Sequence, residues 1–439
     1  MKFFATTVLL TLLFISFGCM KQFSIPDNLD DENNQTAFGA GDTTFLQLNP
    51  VWDSDYGILD PTEISIAQDG RIFIADSTSN SIIILDQNGN LSEETLGLNN
   101  LKDQSGADIN PIDVDVDQKM NVFFIDGSQR IFVWNLYWNQ IGIKKVSVSA
   151  SFEHIETGLK QVENTGTDNW FNLLNSSEWQ IVDTVFSNSQ LLIDSLLNPY
   201  LFYDGSESIN QYLDLFYDPG NSRFTGISAP AGNENLIYVS DNYGGINNQF
   251  RLLEITFQRA LILELTNGQK VWCFKGIFGS TIKGYGTGAG TVNKPLSIEV
   301  DYENNLYYTQ SGDFFPVHKL IPNLSGDFAV YISGFQPGLN DIMDASLFGH
   351  AYDVAVDQNK FVYVADGLDS DIIIFDSYGN FFKEAGYIPQ DSANINIMDK
   401  VSAIAVDNRG VVYVCDRGSG SVFRFVLSSS LDDDIIPKD

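Results

Sequence analysis

A fourteen-residue pattern recurs along this chain and restricts what it can fold into. Its clearest copy is Asp353-Val354-Ala355-Val356-Asp357-Gln358-Asn359-Lys360-Phe361-Val362-Tyr363-Val364-Ala365-Asp366. A short β-branched run meets a polar break, a second run follows, and an aspartate closes the unit. Alternation and β-branched content predict strands, and the break is too short for anything but a hairpin. Further copies begin at Ile64, Val114, Ile227, Ile298 and Ile404 and lead into Ile72-Phe73-Ile74-Ala75-Asp76, Val122-Phe123-Phe124-Ile125-Asp126, Leu236-Ile237-Tyr238-Val239-Ser240-Asp241, Leu306-Tyr307-Tyr308-Thr309 and Val411-Val412-Tyr413-Val414-Cys415-Asp416.

Counted from these first apolar residues, with Val354 as the fifth, the copies are separated by 50, 113, 71, 56 and 50 residues. One small sheet cannot bury both its faces alone, so strand units repeating near this period predict sheets stacked around an axis. On these residues the chain resembles the NHL-repeat β-propellers (NHL/TolB-like), whose repeat runs roughly Pro-x-x-Ile-x-Val-Asp, turn, apolar-Tyr-Val-Ala-Asp and a third strand. Pro61, Pro111 and Pro295 stand where the leading proline would, and Ile82–Asp86, Arg130–Trp134, Ile372–Asp376 and Val422–Phe425 stand as third strands. The resemblance implies an all-β, six-bladed β-propeller over residues 43–428. The first strand of each blade would line a central channel, and loops at one end would form a binding mouth.

The ends of the chain and one break complete the expected organisation. Thr44–Leu48 reads as a lone strand before the first copy, whereas the last copy supplies three strands and then dissolves into Ser428-Ser429-Ser430 and an acidic tail over 429–439. The N-terminal strand is therefore expected to close the last blade, leaving no open edge. Residues 150–222 interrupt the period with mixed apolar spacings, some of them helical, and are expected to form a partly helical insertion packed over one face of the ring. The run Gly284-Tyr285-Gly286-Thr287-Gly288-Ala289-Gly290 lacks the strand-before, helix-after context of a phosphate loop and reads as an inter-blade loop.

Residues 1–19 form a secretory leader, with a basic start and an apolar run from Phe3 to Phe17 too short for a permanent span. Gly18-Cys19 resembles a bacterial lipobox, with Ser16 and Phe17 departing from its usual residues. The resemblance implies acylation at Cys19 and a membrane-anchored lipoprotein of the bacterial cell envelope; plain secretion is the alternative. Residues 20–42 are polar and aperiodic and are expected to be a disordered tether. Of the other two cysteines, Cys273 and Cys415 fall in strands of non-adjacent copies and are expected to be reduced and buried. With 57 acidic against 24 basic residues, the net charge of −33 repels phosphate backbones and excludes a nucleic-acid partner.

Chemistry is expected at the channel. The position just before each first apolar residue reads Glu63, Asp113, Gly226, Ser297, Asp353 and Ala403. Glu63, Asp113 and Asp353 would gather around the axis, and neighbouring carboxylates raise one another's pKa unless a cation or donors intervene. Calcium or another hard divalent cation is the candidate cofactor, against an acidic channel mouth of solvated or proton-sharing carboxyls. His350, four residues before Val354, is a further ligand-binding candidate, because a related lyase of this architecture holds zinc with three histidines. The matching positions, Asp60, Asn110, Lys294 and Lys400, complete no histidine ring. The aspartates closing second strands (Asp76, Asp126, Asp241, Asp366, Asp416) repeat too often for catalysis and are expected to accept backbone hydrogen bonds in the turn that follows. The expected function is a non-catalytic binding platform for an extracytoplasmic protein, peptide or glycan. The alternative is a divalent-metal-dependent lyase or lactonase using the acidic mouth.

Overall fold

A computed structural model of the chain describes residues 45–92, 98–103, 105–135, 147–164, 168–187, 200–205, 222–232, 234–242, 250–264, 270–325, 328–388 and 395–427. Residues 1–44, which hold the expected leader and tether, and the acidic tail over 429–439 lie outside these residues. Strand β1 (Phe45–Trp52) precedes β2 (Pro61–Ile66), β3 (Ile72–Asp76) and β4 (Ser81–Leu85), then β5 (Asp113–Val116), β6 (Asn121–Ile125) and β7 (Arg130–Asn135). Strands β8 (Ser147–His154) and β9 (Lys160–Asn164), helix α1 (Asp168–Leu174), β10 (Trp179–Ser187) and β11 (Tyr200–Asp204) follow. Next come β12 (Phe224–Ser228), β13 (Leu236–Asp241), β14 (Arg251–Glu264), β15 (Lys270–Lys283), β16 (Pro295–Val300), β17 (Leu306–Gln310), β18 (Val317–Ser325) and β19 (Phe328–Ser333). The chain continues through β20 (Ala351–Val356), β21 (Val362–Asp366), β22 (Asp371–Phe375), β23 (Phe381–Ala385), β24 (Tyr387–Ile388) and β25 (Ile395–Asn396) to β26 (Val401–Val406), β27 (Val412–Asp416) and β28 (Ser421–Leu427).

Each repeat copy is one antiparallel sheet in chain order: β2-β3-β4, β5-β6-β7-β11, β12-β13-β14-β15, β16-β17-β18-β19, β20-β21-β22-β23 and β26-β27-β28-β1. Their first strands adjoin in sequence: β2 lies beside β5, β5 beside β12, β12 beside β16, β16 beside β20, β20 beside β26, and β26 returns to β2. Apolar cores fill the gaps between neighbouring sheets. Phe73, Ile82 and Ile84 meet Val122, Phe124 and Phe132 in one gap, and Ile125, Ile131 and Val133 meet Ile237, Val239 and Leu253 in the next. Second strands such as Ile72–Asp76 and Val362–Asp366 are buried at every residue, because both of their faces meet another sheet. That is why they read as continuous apolar runs.

In five of the six copies the polar break between first and second strands has one geometry. The last turn residue, Gly70, Met120, Asn304, Lys360 or Gly410, takes φ from 58° to 84°, and its amide donates to the carbonyl three residues earlier. Aspartate opens four of these turns, and its carboxylate accepts later amides: Asp117 from Lys119 and Asn121, Asp301 from Glu303 and Asn305, Asp407 from Arg409 and Val411. Left-handed backbone costs any residue with a Cβ, which glycine avoids. Lys360→Gly is therefore expected to raise the melting temperature by about 1–3 °C, read by thermal denaturation; a fall would show that the exposed Lys360–Glu303 pair outweighs backbone strain.

The strand-closing aspartates stitch each sheet to the loop that enters it. Asp76 accepts the amides of Leu59 and Asp60, Asp366 those of Gly349 and His350, and Asp416 those of Asp399 and Lys400, all three carboxylates being fully buried. Asp241 likewise accepts the entry-loop amide of Arg223 and in addition holds the buried Arg251 guanidinium, each at 2.9 Å.

β1 pairs antiparallel with β28, Phe45 opposite Leu427 and Trp52 opposite Val422, so the last sheet takes its outer strand from the N-terminal side of the chain. Trp52 is fully buried, with Tyr413 at 5.7 Å and the Arg424 guanidinium 4.5 Å from its ring.

The insertion departs from expectation in two ways. Its described part is mainly strand: β10-β8-β9 form their own sheet, with α1 the only helix of these residues. Period-two alternation in Ser147–His154 carries that signal, and Phe152 packs edge-on against Trp170 at 5.1 Å within the insertion. Tyr200–Asp204, counted as insertion, is instead the outer strand of the second sheet. Phe202 fixes it there, 5.2 Å from Phe123. Residues 188–199 and 206–221 lie outside the described residues.

Candidate functional site

The first strands run the same way around the axis, as the cross-sheet bonds show. At one end hydroxyls of one sheet donate to proline carbonyls of the next: Thr62 to Pro111 (3.2 Å), Thr225 to Pro295 (2.9 Å) and Ser402 to Pro61 (3.0 Å). One step along, Asp113 accepts the Ile227 amide and Asp353 the Ile404 amide, each at 2.8 Å, and the Ser297 hydroxyl donates to Asp353. Two residues further, Asp115 accepts the Ala229 amide at 2.6 Å and the Ser65 hydroxyl at 2.5 Å. Ser228 there accepts the Val300 amide at 3.1 Å. Gly226 occupies the crowded point of this ring, where a Cβ would come within 2.8 Å of the Ile298 nitrogen.

These tiers enclose a cavity of about 140 Å3 lined by Glu63, Asp113, Asp115, Glu299 and Asp353, with Gln68, Ala231 and Tyr302 toward the hairpin-turn end. Side-chain alternation accounts for its lining, because residues two apart on a strand share a face. The three carboxylates expected at the axis, Glu63, Asp113 and Asp353, do come together. Asp115 and Glu299 join them. They were legible two positions further along the same strands and were missed because only one tier was considered. His350 does not line the cavity; its ring packs on Tyr352 at 4.4 Å and its amide is held by Asp366.

Burial is the largest influence on all five carboxyls and raises each above its ordinary range. Glu63, Asp113 and Glu299 rise well above, because neighbouring carboxylates add repulsion: Asp353 and Asp113 act on Glu63, Asp353 and Asp115 on Asp113, and Asp115, Asp353 and Asp113 on Glu299. Asp115 and Asp353 rise less because amide and hydroxyl donors stabilise their charge. A hydrogen bond between Glu63 and Asp353 raises the former and lowers the latter. Of the two, Glu63 is the one more strongly favoured in its protonated form.

The residues do not fit a calcium ion in this arrangement. Calcium takes six to eight oxygens, chiefly from ionised carboxylates and carbonyls. Here Asp113 and Asp353 already accept backbone amides and Asp353 a hydroxyl, and burial favours the protonated form of Glu63. Among the described residues no three or more histidine, cysteine, aspartate or glutamate side chains are grouped to hold a metal. The other histidines sit apart from the cavity: His154 lies on β8, and the buried His318 stacks on Tyr308 at 4.7 Å, its pKa lowered by burial to about 4. The Gly284–Gly290 loop is pinned where the Gly290 amide donates to His318 Nδ1. Cys415 is free and buried, its thiol pushed up by burial and the nearby Glu63 and Asp353. The Cys273 side chain lies outside what is described.

Four-stranded sheets whose first strands ring a common hub define a β-propeller. No protein-family model matches the chain, and no curated protein matches it. Among solved structures the chain is similar to a gluconolactonase from Xanthomonas campestris, at 9% identity over 88% of this chain and 90% of that one, TM-score 0.44. It is also similar to a Bacteroides thetaiotaomicron protein of unknown function (10%, 88% and 76%, TM-score 0.45) and to virginiamycin B lyase from Staphylococcus aureus (10%, 88% and 100%, TM-score 0.40). At these identities and scores the likenesses carry no inference about activity.

Proposed function

We propose that this chain is an exported, lipid-anchored, six-bladed NHL-type propeller that serves as a non-catalytic binding platform for an extracytoplasmic protein, peptide or glycan. The return of β26 to β2 supports the six-bladed count, and the Gly18-Cys19 leader supports the anchor. The single observation behind the platform is how the hub carboxyls are used. Asp113, Asp115 and Asp353 bridge neighbouring blades through backbone amides. A hub tied in this way is a rigid scaffold, and recognition falls to the loops at its ends. Affinity capture from envelope membrane extracts tests this: a macromolecule retained by the wild type and lost on loop substitution is expected.

A second function, a divalent-metal-dependent lyase or lactonase, is favoured by the convergence of five carboxyls on one cavity. It requires Glu63 and Glu299 to lose their protons to solvent and bind a cation as carboxylates. Calcium at millimolar concentration is expected to leave the melting temperature unchanged. A rise of several degrees that disappears in Glu63→Gln, together with stoichiometric metal in the purified protein, would support the enzyme instead.

A further inference from the structure

The seam that closes the ring buries a cation without a counter-charge. Arg424 of β28 stands opposite Leu48 of β1 and Tyr413 of β27 and is only 3% exposed. Its Nη2 donates to the Pro50 carbonyl at 2.8 Å, and its guanidinium carbon lies 4.5 Å from the centre of the Trp52 ring. Arg71, Arg130, Arg251, Arg409 and Arg417 each hold a carboxylate. Arg424 holds none among the described residues, on a chain with 57 acidic side chains. Burial is the largest influence on its pKa and lowers it, and no carboxylate acts to raise it.

Two N–H groups of this seam are buried and find no acceptor in the protein: Nε of Arg424 and Nε1 of the fully buried Trp52. Because the guanidinium lies over the indole, both belong to one site. Gly89, at φ 86°, leaves the indole edge open, since a Cβ there would fall 2.7 Å from Trp52 Nε1 and 3.0 Å from Tyr56 Cε1. Gly89 and Tyr56 also line a cavity of about 470 Å3 with Leu85 and Asn90, which gives a small solute a way in.

Chemistry indicates what the site takes. Arginine and tryptophan side chains donate and never accept. A water between them must still place its own two hydrogens, while the Pro50 carbonyl already accepts from Arg424. An anion needs donors alone, and it cancels a charge that is costly to leave buried and unpaired.

We propose that this seam is a halide site, holding one chloride ion between Arg424 Nε and Trp52 Nε1 beside Gly89. The ion compensates the guanidinium and ties β1 and β28 to the turn that follows β4. Closure of the ring therefore depends on halide concentration.

The test titrates chloride against gluconate at constant ionic strength, using full-length protein, and reads the melting temperature. The wild type is expected to rise by several degrees and then saturate, as binding to the folded state alone requires. Arg424→Gln removes the charge and is expected to give a flat line. Crystals soaked in sodium bromide are expected to show an anomalous peak within hydrogen-bonding distance of both nitrogens. Should Arg424→Gln fail to fold, the wild-type titration and the bromide peak decide together. A wild-type melting temperature indifferent to chloride overturns the proposal, and so does a rise that Arg424→Gln retains. A bromide peak without a response in solution is binding at crystal concentration only, and density that does not exchange with bromide is a water; each overturns it as well.

Discussion

Trimming residues 43–50 is expected to lower the melting temperature by about 10 °C or more, whereas trimming 429–439 leaves it nearly unchanged. Among the described residues β1 is the only partner of the outer edge of β28. Without it, a row of backbone groups opens to water and to other chains, and the ring is no longer closed through its own hydrogen bonds. Arg424 adds to the cost. It is buried, donates to the Pro50 carbonyl at 2.8 Å and lies over the Trp52 ring, with burial lowering its pKa. Losing residues 43–50 removes that carbonyl and loosens the indole beneath the cation. Trp52→Ala alone is expected to cost about 3–5 kcal/mol through the cavity it leaves. Matching melting temperatures for the two truncations would show that the ring closes without β1.

The hub should respond oppositely to two kinds of substitution. Asp353→Ala leaves the Ile404 and Val354 amides and the Ser297 hydroxyl without their acceptor, and unpaired buried groups cost about 1–3 kcal/mol each. Glu63→Gln with Glu299→Gln should instead stabilise at alkaline pH, since glutamine copies the protonated acid. The sign follows from linkage. Glu63 and Glu299 have folded pKa values raised above 4.5, so their contribution is fully present below pH 4.5 and is lost as pH rises through the folded values. Surface carboxylates act in the other direction: Asp60, held down first by its hydrogen bond to Arg417, loses its contribution as pH falls. The difference between wild type and the double variant isolates the hub. Melting curves from pH 5 to 9 are expected to diverge, the variant gaining about 2–4 °C per kcal/mol recovered. Parallel curves would show that both glutamates ionise freely.

Much of the ring was legible in the sequence, because each repeat carries its own local causes. β-branched runs make the strands, an aspartate and a left-handed residue make the turn, and the closing aspartate ties the sheet to its entry loop. Even the lone N-terminal strand could be paired with the incomplete last copy, because an open edge needs a partner. The insertion was less legible: Ser147–His154 alternates plainly, but Tyr200–Asp204 carries no repeat signature. Its pairing with β7 and its packing on Phe123 assign it to the second sheet. The long β14–β15 hairpin passed unnoticed for the same reason, since the repeat marks inner strands and leaves outer ones unconstrained.

At the hub, the sequence by itself determined which side chains reach the axis, since a strand's period of two leaves no choice of face. What those groups became was decided by the tertiary structure. Glu63 and Asp353 are 290 residues apart in the chain, and whether they share a proton, hold a cation or stand in water depends on donors brought by other sheets. The Ile404 amide and the Ser297 hydroxyl are those donors, both on Asp353. Hydrogen bonds across blades are set by how the sheets close on one another, and no local pattern encodes that closure.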